Sequence, residues 1–69
     1  MHIYFASVVH MDGTTSEGIV LAINPQQAEN RTRNFIKNNY PSNQLAVDVA
    51  IIKAQEGRNT IQVAWIAGN

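Results

Sequence analysis

The side chains that could do chemistry are few, and their spacing decides what they can do. His2 and His10 fall on one side of an alternating stretch, eight residues apart. At about 3.4 Å per residue a strand holds them roughly 27 Å apart, too far to share a metal. His10 stands near Asp12 and Glu17 in sequence, but without the close spacing of a metal-binding loop, so both histidines read as surface residues. The carboxylates Asp12, Glu17, Glu29, Asp48 and Glu56 are spread along the chain. Only Asp48 falls within a strand pattern, where it suits a cation or a partner's donor better than acid catalysis. There is no cysteine nucleophile, and Ser7 and Ser16 lack an elbow or base motif. The glycines at 13, 18, 57 and 68 form no phosphate-cradling cluster. "NRT" at 30–32 matches a glycosylation sequon, but inside a helix pattern it reads as accidental. These residues imply a protein without catalysis, metal or cofactor.

Binding chemistry is better represented. Arg31, Arg33 and Lys37 are three of the five basic residues, interleaved with Asn30, Asn34 and Asn38. On a helix they would make a locally basic, amide-rich outer face, suited to an electrostatic contact with an acidic partner or with phosphates. Two observations weaken nucleic acid as that partner: the formal net charge is zero, and no base-stacking aromatic motif is present.

These residues must be positioned by a small set of elements. Residues 2–11 alternate and are rich in β-branched and aromatic types, which predicts a strand. "MDGTTSEG" is a polar, glycine-containing connection, and a second strand follows at about 18–23. "NPQQAENRTRNFIKNNYP" predicts a helix capped by Asn24, with Pro25 at its first position and Pro41 stopping it. Its buried stripe is Ala28, Thr32, Phe35, Ile36 and Asn39. "QLAVDVAIIKA" at 44–54 is a third strand, "QEGRN" a hairpin loop, and "TIQVAWIA" a fourth strand.

The fold class implied is α+β: a four-stranded antiparallel sheet in the order β-β-α-β-β, with one helix packed on one face. The spatial order is 2-1-3-4, with 2-1-4-3 as the alternative. Sixty-nine residues make one domain, 1–69, near the lower limit for an independent core. No run reaches the roughly 18 apolar residues of a membrane span, and the N-terminal stretch lacks a basic signal region, so a cytoplasmic location is expected.

The third strand is apolar on both sides, which raises the matter of what covers its second face. The helix is expected over Ile3, Phe5, Leu21, Val47, Val49, Val63 and Trp65. The open face would then present Tyr4, Val8, Val20, Ala46, Asp48, Ala50, Ile52, Ala64 and Ile66, together with Ala6 and Ala22. Such a plane covers on the order of 400 Å², at the upper end of what a soluble monomer leaves bare. The expectation is a homodimer or partner interface on that face.

The stretch "EGIVLAINPQQAENRTRNFIKNN", residues 17–39, runs from a strand through a capped turn into a polar helix. In this it resembles small phage and mobile-element proteins, among them some anti-CRISPR inhibitors of similar size. The resemblance implies a protein that binds and blocks a host protein complex without catalysis.

Overall fold

The computed structural model describes residues 1–54 and 63–68. It is an α+β arrangement of one helix and one four-stranded mixed sheet. Strand β1 spans His2–His10, β2 Thr15–Ala22, β3 Ala46–Lys53 and β4 Trp65–Ala67; helix α1 spans Pro25–Asn39. A 3₁₀ turn at Ser42–Gln44, not foreseen from the sequence, links α1 to β3. The "QEGRN" loop and residues 60–62 of the expected fourth strand lie outside the described residues.

The helix forms where its local signals place it. The Asn24 side chain accepts a hydrogen bond from Gln27 N at 2.8 Å, and Gln27 Oε1 accepts one from Ile23 N at 2.9 Å. The first bond satisfies a donor that the first turn leaves without a helical partner, and the second ties the residue before the cap to the helix. At the far end Tyr40 is extended, as the residue before a proline must be, and its N–H closes the last turn on Ile36 O at 2.9 Å. Ala28, Thr32 and Ile36 are buried and Phe35 half-buried, whereas Asn39 is exposed and donates back to Phe35 O.

The sheet order is β3-β1-β2-β4. β1 pairs antiparallel with both β2 and β3, but β4 lies parallel beside β2 instead of beside β3. This corrects both expected orders and the expectation of an all-antiparallel sheet. The local reason is Gly18, which stands level with Trp65. A Cβ at Gly18 would fall 2.1 Å from Trp65 Cδ2. The missing side chain is what lets the indole lie down on β2, where it stacks on Phe35 with ring centroids 5.0 Å apart.

The helix covers the opposite face of β1 and β2 from the one expected. Its core comprises Tyr4, Ala6, Val8, Val20, Ala22, Ala28, Ile36, Trp65 and Ala67. Small residues meet at this layer: Ala6 and Ala22 on the sheet, Ala28 on the helix. A helix seated on alanines approaches closely and excludes water from its own backbone side, and close packing of this kind outweighs the bulk of Ile3 and Phe5. On β3 the expected parity holds for Val49 and Ile51, which pack against this core. The register explains how. Phe5 stands level with Ile52 and Ser7 with Ala50, so the odd-numbered face of β1 continues into the even-numbered face of β3. A register shift between Val9 and His10 brings Ala46 level with His10 and leaves Val47 exposed.

Candidate docking surface on the open sheet face

The face away from the helix is built in rungs that cross the strands. Ile52, Phe5, Ile19 and Ile66 stand level with one another on β3, β1, β2 and β4. The outer two members, Ile52 and Ile66, are 68% and 67% exposed. Beside this rung Ile3 pairs with Leu21, and Ile3 is itself 48% exposed. On the other side stand Ala50, Ser7 and Glu17. Ser7 donates to Glu17 Oε2 at a long 3.5 Å. The next rung holds Asp48, Val9 and Thr15. Among the described residues of this face, the charges are therefore Glu17 and Asp48, both acidic and both at one end. The other end is wholly aliphatic and aromatic.

Of the residues expected to form this face, Asp48, Ala50, Ile52 and Ile66 lie on it, and Ala64 is exposed just before β4. Tyr4, Val8 and Val20 are buried beneath the helix, and Ala46 is half-buried on that side because of the register shift. In their place stand Ile3, Phe5 and Leu21, which the alternation assigns to the helix side, and Ile19. The signal that could have found them is the run of small residues at 6, 18, 22 and 28, which marks the side a helix can approach.

The basic helix residues do not come together. Arg31 and Arg33 are two residues apart on a helix and so point to nearly opposite flanks. Arg31 donates to Leu21 O at 2.7 Å and to Gly68 O at 3.3 Å, at the β2/β4 side. Arg33 pairs with Glu29 at 3.0 Å and donates to Ala46 O at 3.3 Å, at the β3 side. Each guanidinium covers carbonyls at one edge of the sheet. Asn30, Asn34 and Lys37 stay exposed between them, with Asn30 accepting from Gln26 at 3.3 Å.

A second cluster sits beneath the 3₁₀ turn. His10, expected at the surface, is only 2% exposed and stacks on Tyr40 with centroids 4.8 Å apart. Its Nδ1 meets the Gln44 carbonyl, which can only accept, so in the neutral ring the proton sits on Nδ1. Its Nε2 then accepts from the Ser16 hydroxyl at 2.8 Å, and Ser16 Oγ accepts from Trp65 Nε1 at 3.2 Å. The hairpin brings His10 and Ser16 together diagonally across β1 and β2. The contact resembles a serine–histidine pair, but the lone pair of Ser16 faces the Trp65 N–H, and the chain of donors ties four segments to one another. It is a buried brace that satisfies each polar group it contains. No cluster of three or more potential metal ligands occurs among the described residues. No helix among them is long and apolar enough to cross a membrane.

No protein-family model matches the chain, and no curated protein or solved structure matches it either.

Proposed function

We propose that this chain is a non-catalytic interaction protein whose working surface is the open face of the sheet, and that a second copy covers that face. The observation that carries the reading is the apolar rung Ile52–Phe5–Ile19–Ile66, which runs uninterrupted across all four strands and ends in two largely exposed isoleucines. Covering about 400 Å² on each copy is worth several kcal/mol before association costs. The total of roughly 800 Å² is below the standard interface size, so a micromolar, exchanging dimer is expected. Two sheets can stack with their acidic ends apart, which keeps Glu17 and Asp48 of one copy away from those of the other. The resemblance of residues 17–39 to phage-type inhibitors suggests a role for such a module: it would occupy a surface of a host protein complex and block it. A nucleic-acid role for the helix has less to support it, because Arg31 and Arg33 are engaged on opposite flanks.

Light scattering on the eluting protein tests the reading. The mass of the wild type should rise at least twofold above that of the monomer between about 5 and 200 µM, the range of a weak interface. The double variant Ile3→Lys/Ile66→Lys replaces two exposed side chains and should lose the face association with its fold intact, its mass falling to half that of the wild type or less. A wild type that is monomeric throughout, or a double variant that associates as before, would refute it.

A further inference from the structure

We propose that the outer edge of β3 is a second contact surface, taken by β3 of another copy running antiparallel to it. The two edges of the sheet differ. β4 closes one with three residues, and Arg31 covers the Leu21 carbonyl there. Among the described residues, β3 leaves the other as an edge of eight residues, Ala46–Lys53. Edge strands are ordinarily blunted by proline, by charge or by shortness. β3 has no proline, and its charges are Asp48 and a terminal Lys53. Among the described residues, the side-chain hydrogen bond made to this edge is that of Arg33 to the Ala46 carbonyl, at its first residue.

Backbone alternation decides what the edge offers. Ala54 N–H bonds to Ile3 O at 2.8 Å, so the even-numbered residues near it turn their peptide groups toward β1. Val49, Ile51 and Lys53 therefore turn theirs outward. A copy related by a two-fold axis at Ile51 sets Ile51 against Ile51 and Val49 against Lys53, and about six N–H···O=C bonds can form. The same register sets Ala50 level with Ile52 of the second copy, so the open apolar faces join into one plane. Charge selects the antiparallel direction. Asp48 comes level with the uncharged Ala54 of the second copy, whereas a parallel strand in register would set Asp48 beside Asp48. A second copy supplies this match by symmetry alone.

The contact is separate from the face stacking proposed above. With both in place, two perpendicular two-fold axes close four copies into one assembly; with the edge alone, two copies pair. Native mass spectrometry and amide exchange, each across about 5 to 200 µM, distinguish the cases. In the wild type the amide protons of Val49, Ile51 and Lys53 should exchange at least tenfold more slowly at the high concentration. Lys53→Pro removes an outward donor and spares the bonds to β1, because Tyr4 and Lys53 form a non-bonded pair; it should halve the mass of the assembly. The edge proposal is overturned if those amides exchange equally fast at both concentrations, or if folded Lys53→Pro keeps the wild-type mass. Where Lys53→Pro does not fold, the exchange of the wild type decides alone. Failure of the face reading is distinct: Ile3→Lys/Ile66→Lys would keep the wild-type mass while the three amides still gained protection.

Discussion

Asp12 shows how much of the β1–β2 turn depends on one carboxylate. Thr14 donates to Oδ1 from its hydroxyl at 2.6 Å and from its backbone N–H at 3.0 Å, and Gln44 donates to Oδ2 at 2.7 Å. The Thr14 hydroxyl and then Gln44 are the main reasons its pKa falls from 3.8 to about 2. A carboxyl with a lowered folded-state pKa stabilises the fold above its ordinary value and ceases to as the pH falls through the lowered one. Urea midpoints should therefore drop between about pH 4 and pH 2 in the wild type, and more gently in Asp12→Ala. Equal slopes would show that the turn gains nothing from the charge. Next to it Gly13 has a φ of 87°, a backbone conformation that favours glycine. Gly18 is required for a different reason, since its Cβ would occupy the Trp65 ring. Gly18→Ala must push that ring off Phe35 and off the Ser16 hydroxyl, and should cost about 2–3 kcal/mol in chemical denaturation. A loss below about 0.5 kcal/mol would mean that β4 is held by other contacts.

At the level of elements, α1 is specified locally and placed globally. The Asn24 cap should be worth about 1 kcal/mol, measured as the loss of stability in Asn24→Ala. The Arg33–Glu29 pair is about 40% exposed on both sides, so Arg33→Gln should cost less than about 1 kcal/mol, most of it from the lost hold on Ala46 O. The expected parity of β3 holds from Val49 to Ile52 and is reversed at Ala46 and Val47 by the register shift. Its two apolar sides were legible because Val49 and Ile51 alternate with Ala50 and Ile52, and the structure sends the first pair under the helix and the second to the open face. β1 and β2 were legible as strands, but both of their faces are apolar, so alternation could not say which one the helix takes.

For the whole molecule, the proposal of a face contact and an edge contact assigns different roles to the two ends of the sheet. The aliphatic end, around Ile3, Leu21 and Ile66, should respond to added charge, whereas substitutions at the acidic end should chiefly alter the salt dependence of association. Neutralising Asp48 and Glu17 together is expected to strengthen self-association at low ionic strength, with the difference fading as salt screens the charges over about 10 Å. Sedimentation at two salt concentrations would measure this, and an unchanged dissociation constant would place both carboxylates outside the contact.

What the chain alone determined is local: an alternating pair of strands, a helix bounded by Asn24, Pro25 and Pro41, a third strand apolar on both sides, and the presence of more apolar surface than one helix covers. Each follows from residue type and spacing within a short window. What only the tertiary structure decided is relational: which side of β1 meets the helix, which neighbour β4 chooses, and that Arg31 and Arg33 serve opposite edges. These depend on register and on close approach at Ala6, Gly18, Ala22 and Ala28. A shift of one residue in pairing exchanges the two faces of a strand, and no pattern within a single strand records how it is paired.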